Sequence, residues 1–135
     1  MTESATSASF ANFTTSTTLA VLVTEAKCIA DDVHNPPGFN ALQASYAPNY
    51  SVTAHLVAKD GGDCFFEDSI YEFTIIEGSE SNHVELAKLR MTCNDSDWVG
   101  VFTVSNQTIA SFAYVPPADE TLFAVEAHPY TTPGP

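Results

Sequence analysis

The spacing of apolar positions along this chain changes between Pro36 and Tyr50. Before that stretch, Leu19, Leu22, Val23, Ala26, Ile29, Ala30 and Val33 recur at the spacing of one helix face. Ser16, Thr17 or Thr18 offers an N-cap and Pro36-Pro37-Gly38 a stop, so the pattern predicts an N-terminal helix. Phe39, Leu42 and Tyr46 fall on one side of a short second helix that Pro48 interrupts. After Tyr50 the period becomes two. Val52, Ala54 and Leu56 alternate with Thr53, His55 and Val57, and Lys59-Asp60-Gly61-Gly62-Asp63 turns the chain. Phe65 to Ile76 reads as the next strand and Glu77 to Asn82 as a second turn. Val84 to Cys93 reads as a strand, although Asn82-His83-Val84-Glu85 also fits a capping box that would open a helix. Trp98 to Tyr114, WVGVFTVSNQTIASFAY, reads as two apolar strands joined at Ser105 to Thr108, a hairpin with both faces largely apolar. Thr121 to Ala127 supplies a last strand.

A helix followed by an antiparallel meander must bury its stripe against one sheet face. The expected fold is therefore α+β: an N-terminal helix packed on a strongly curved antiparallel sheet that encloses a pocket, a cone-shaped barrel. The alternative is an all-β antiparallel barrel in which Leu19 to Ala30 is a strand. Residues 1–16, rich in Ser, Thr and Ala, read as a flexible N-terminus, 17–128 as a single domain, and 129–135 as a disordered tail. At 135 residues and 44% hydrophobic, the chain suffices for one core and not for two.

Charge narrows the partners. Seventeen Asp and Glu against four Lys and Arg give a formal charge of -13, which repels nucleic acid and anionic membranes. No apolar run is long enough to span a bilayer, and the start lacks a basic, apolar leader, so a cytoplasmic location is expected, with secretion as the other option. Four Asn-x-Ser/Thr triplets, at Asn12, Asn49, Asn94 and Asn106, are what a chain rich in Ser and Thr produces by chance. Cys28, Cys64 and Cys93 lack any Cys-x-x-Cys spacing; free thiols or a Cys64–Cys93 bridge are the readings. Asp60, Asp63, Glu67 and Asp68 lack the spacing of an EF-hand loop, and no cofactor fingerprint is present, so neither metal nor cofactor is expected. Val99, Val101, Ile109 and Val115 leave more apolar surface on the sheet than a monomer exposes, which predicts a homodimer.

Three segments resemble the nuclear-transport-factor-like cone shared by SnoaL-type cyclases, ketosteroid isomerases and limonene epoxide hydrolase. Ile29 to Gly38 is similar to the family's helix exit, with its acidic pair and an Asn before proline. His55 to Asp63, Phe66-Glu67 and Tyr71-Glu72-Phe73 resemble the central hairpin, and Val99 to Val104 with Ile109 to Tyr114 resemble the closing strands. Where limonene epoxide hydrolase carries its Asp-Arg-Asp set, this chain has Tyr71, Ser69 and Pro116-Pro117, while Asn35 matches the water-orienting asparagine.

The resemblance implies a cofactor-independent isomerase, cyclase or dehydratase acting on a small apolar carbonyl compound. Asp32 would act as base and His34 or His55 as acid. Asn35, Tyr71, Phe73, Phe102, Phe112 and Tyr114 would line the pocket, one of the tyrosines bonding the developing enolate. The alternative is a non-catalytic module, binding a small molecule or an assembly partner, that has lost the carboxylates.

Overall fold

The computed structural model describes residues 5–30, 42–58, 64, 68–79, 81–94, 97–106, 109–115 and 122–129. They form ten strands: β1 (Ala5–Asn12), β2 (Leu19–Lys27), β3 (Ile29–Ala30), β4 (Ala44–Tyr46), β5 (Ser51–Ala58), β6 (Ser69–Ser79), β7 (Asn82–Asn94), β8 (Asp97–Val104), β9 (Ala110–Val115) and β10 (Phe123–Pro129). Two five-stranded sheets result, ordered β3-β5-β1-β10-β9 and β4-β2-β6-β7-β8. They pack face to face as a sandwich around Phe10, Leu56, Tyr71, Phe73, Leu89 and Val125, all fully buried. Alternation puts these side chains inside: in β5 Ala54, Leu56 and Ala58 are buried while Ser51, Thr53 and His55 are exposed.

This architecture overturns the α+β cone. There is no helix among the described residues. Residues Leu19 to Ala30 are β2 and β3, and Ala44–Tyr46, within the second expected helix, is β4. The cause lies in a bulge. Leu19 and Val21 point inward at period two, but the register against β6 slips between Val23 and Glu25, leaving Thr24 as the extra residue. The inserted position lengthens one gap from two to three, and half-buried Leu22 adds an apolar residue on the other face, so Leu19, Leu22, Val23 and Ala26 imitate a helical stripe. β-Branched Val21, Val23 and Thr24 favour the extended chain.

The barrel alternative fails on closure. Two open sheets replace one ring, and β1 pairs parallel with β10, Phe10 opposite Val125. Residues 5–12, within the stretch read as flexible, form the middle strand of the first sheet, bounded on its other side by antiparallel β5. The expected hairpin from Trp98 to Tyr114 does not form either. β8 pairs with β7 and β9 with β10, so the connection between them crosses from one sheet to the other. The β6–β7 hairpin runs from Ser69 opposite Cys93 to Ser79 opposite Asn82, with Gly78 at a left-handed φ of 112° near its end.

One side of the sandwich is tied covalently. Cys28, at a positive φ of 56°, turns the chain from β2 into β3 and forms a disulfide with Cys64, Cα atoms 5.6 Å apart. The Ser69 hydroxyl donates to the Cys28 carbonyl at 2.7 Å. The Cys64–Cys93 pairing is thereby excluded: Cys93 is buried on β7 opposite Ser69. Buried Asn12 donates from Nδ2 to the carbonyls of Thr17 and Tyr46 at 2.8 and 2.9 Å, while its Oδ1 accepts from the Thr14 amide and hydroxyl. That amide is fully engaged in holding the end of β1 to β4.

Candidate functional site

Asp32, His34 and Asn35 lie outside the described residues. His55 stands on the outer face of β5, exposed, its Nδ1 2.8 Å from the Ser7 hydroxyl on neighbouring β1. Tyr71 and Phe73 are fully buried between the sheets, ring centroids 6.2 Å apart. Burial, with Tyr46 nearby, pushes the Tyr71 hydroxyl far above its usual range. Tyr46, donating to the Leu42 carbonyl at 2.6 Å, is pushed up by burial to about 12. These hydroxyls are held neutral in a packed interior, and His55, on the outside of the opposite sheet, does not face them.

The other aromatic residues lie elsewhere. Phe102 on β8 and Tyr114 on β9 stack across the gap between the sheets, centroids 5.5 Å apart and planes at 24°. Phe112 is half-buried on the same strand as Tyr114. The Tyr114 hydroxyl rests against Gly100, where an added Cβ would collide with it and meet Phe123 Cδ1 at 3.2 Å. It is buried and has no hydrogen-bond partner among the described residues. The predicted pocket-lining set thus divides into a core pair and a group closing one side of the sandwich.

That side is made of two edge strands, β8 and β9. From Trp98 to Val115 the sequence has no charged residue and no proline. β8 pairs with β7 in unbroken register from Asn94 opposite Asp97 to Ala87 opposite Val104. Trp98 and Phe102 point inward, which leaves Val99 and Val101 outward at 59% and 61% exposure; Val115 at the end of β9 is 54% exposed. Ile109, read from the sequence as part of the same surface, instead packs half-buried against the core.

Behind β8, the outer face of the second sheet carries a charged ladder. Arg90 donates to Glu25 at 2.8 Å and to Glu72 at 2.9 Å; Thr24 donates to Glu72 at 2.7 Å, and Lys88 lies 3.8 Å from it. Burial pushes the Glu72 carboxyl up, but the hydrogen bonds from Thr24 and Arg90 and the charge of Lys88 outweigh it and hold it below the usual carboxylate range. A carboxylate so fully satisfied braces three strands and is a poor proton acceptor. Arg90 sits opposite Val101 and Lys88 opposite Thr103, so the cations lie between the carboxylates and the edge.

A cavity of about 220 Å³ opens where β4 leaves β2, lined by Ala20, Leu22, Gln43, Ser45, Ile76 and Gly78 among others. Gln43 Oε1 accepts from the Val23 amide there at 3.0 Å, continuing the ladder by a side chain. Among the described residues the lining has no titratable group. Among the described residues no cluster of His, Cys, Asp or Glu could hold a metal ion, and no helix is long and apolar enough to cross a membrane.

By fold, the chain falls among all-β domains of two facing sheets. A solved protein of similar shape is IP-1A from Alcaligenes faecalis, with a TM-score of 0.61 over 91% of this chain and 90% of that one. At 8% identity the likeness concerns architecture alone. No family model matches the chain, and no curated protein matches it.

Proposed function

We propose that the chain is a non-catalytic assembly module that docks protein through the β8–β9 side of its sandwich. The observation that carries this reading is the pair of edge strands, free of charge from Trp98 to Val115 and rimmed by exposed Val99, Val101 and Val115. Proteins ordinarily blunt such edges with charge, proline, bulges or shortness, and a surface kept apolar against that rule fits a working interface. Acid/base turnover would need a titratable pair converging in a cavity. Among the described residues, His55 and Glu72 have their partners on the outer faces, and the space between the sheets is filled by apolar side chains.

A neutral solvatochromic dye tests the surface itself, at about 1 µM protein, where weak association is negligible. The expected result is blue-shifted emission with the wild-type chain that the double variant Val99→Lys/Val101→Lys loses. Equal emission from the two proteins removes this face as the docking surface.

A further inference from the structure

We infer that the strand docking on this side is β8 of a second copy of the same chain, paired antiparallel about a two-fold axis so that the β4-β2-β6-β7-β8 sheet continues through both molecules. The inference rests on the assembly reading above and names its partner.

The four edges of the sandwich are not equivalent. On the side of the Cys28–Cys64 bridge the outermost strands among the described residues are β3, of two residues, and β4, of three, too short to template a partner. On the opposite side β8 runs eight residues without a bulge and β9 six. β8 is the better template, because after Asp97 its outward side chains, Val99, Val101 and Thr103, are β-branched and suit cross-strand contact.

Charge selects the partner. A chain of formal charge -13 repels its own kind over most of its surface. At β8 the strand's own charge is Asp97, at its first position; beside its middle, the nearest charges along the outer face are the cations Lys88 and Arg90, one strand back. Glu72 and Glu25 lie two and three strands back, roughly 10 and 14 Å away at 4.8 Å per strand. That exceeds the screening length of about 8 Å in physiological salt. Two copies meeting edge to edge therefore approach where mutual repulsion is least.

A two-fold axis perpendicular to the sheet keeps each outward face outward. It sets the valines of the two β8 strands beside one another and holds the Asp97 residues at opposite ends of the pair. The self-complementarity that an isologous contact needs is met by one strand alone.

The test is mass by light scattering across about 1 to 500 µM, read with amide hydrogen exchange at both limits, on the wild type, Val101→Lys and Val115→Lys. The expected result is a rise towards twice the monomer mass and slowed exchange in β8 but not β9. Val101→Lys should remain a monomer, and Val115→Lys should associate like the wild type. A monomeric mass throughout overturns the second-copy inference, and so does a dimer whose protection falls outside β8. Dye binding that persists in such a monomer leaves the assembly reading standing, whereas loss of both ends it.

Discussion

The two sides of this sandwich solve the same physical problem in opposite ways. Where β3 and β4 close it, the strands are two and three residues long, a disulfide fixes the corner, and Asn12 and Tyr46 hydrogen-bond across the junction. Where β8 and β9 close it, the chain from Trp98 to Val115 carries no charge, and the closure is an aromatic stack with a hydroxyl that finds no partner among the described residues. Covalent and polar restraints guard the first side. The aromatic stack of Phe102 on Tyr114 spans the second, where β8 and β9 are the outermost strands among the described residues. The contrast teaches that edge protection in a β-sandwich is local, and that an unguarded edge beside a guarded one is a feature of design in the chain.

The largest expected effect comes from cutting the tether. The bridge closes a separation of 36 residues, and chain entropy gives roughly 4 kcal/mol for a loop of that size. Cys28→Ser/Cys64→Ser should lower Tm by roughly 10–15 °C in a thermal melt. Amide exchange should accelerate first in β2, β3 and β5, with β8 and β9 little changed. Uniform acceleration over both sides would show that they share one cooperative unit and would break the contrast.

Next in size is the packing of the open side. Gly100→Val places a side chain where the Tyr114 hydroxyl and Phe123 already sit. Overpacking of this kind costs about 1–3 kcal/mol, measurable as a shifted urea midpoint. Phe102 and Tyr114 should lose their stacking, visible in the near-ultraviolet circular dichroism. A fully tolerated valine would mean that the two edge strands are not closely packed.

How much of this could be read from the chain follows from what alternation encodes. The β6–β7 hairpin is legible, since Gly78 marks the turn and the apolar beat continues on both sides. Val99, Val101 and Val115 are legible as exposed apolar positions for the same reason. Alternation does not name a strand's partner, however, so β8 and β9 read as a hairpin when the link between them changes sheets. β1 is not legible because in ATSASFAN only Phe10 is a large apolar residue; Thr6, Ala8 and Asn12, small or polar, are buried with it between neighbours on either side. The helical reading of Leu19 to Ala30 has two sources, the bulged residue Thr24 and an apolar residue, Leu22, on the other face of β2. As for the bridge, three cysteines permit three pairings, and the corner at Cys28, which brings it to Cys64, leaves no mark in spacing. The aromatic residues were legible as buried or half-buried, but not which of them would share a site.

A matched pair of tyrosine substitutions sharpens the comparison at smaller scale. Tyr46→Phe on the tethered side removes the hydrogen bond to Leu42 and should cost about 1 kcal/mol. Tyr114→Phe on the open side removes a buried hydroxyl without a described partner and should be neutral or stabilising by up to about 1 kcal/mol. Opposite signs in chemical denaturation are the expected outcome. A clear loss of stability in Tyr114→Phe would mean that its hydroxyl is satisfied and the open side is held by more than packing.

The smallest effect concerns the ladder that joins the two halves of the second sheet, Thr24 and Glu25 on β2, Glu72 on β6, and Lys88 and Arg90 on β7. The folded Glu72 carboxyl titrates below its ordinary range, so the folded state binds its proton less readily than the unfolded chain does. Its contribution is complete above the unfolded pKa of about 4.3 and disappears as pH falls through the lower folded value. Wild type should therefore exceed Glu72→Gln in Tm by a few degrees at most near neutrality, with the difference closing below about pH 4. Because Arg90 and Lys88 are partly exposed, added salt should narrow the gap at neutral pH as well. A gap unaffected by both pH and salt would mean that shape, not charge, is what Glu72 supplies between the tethered side and the open one.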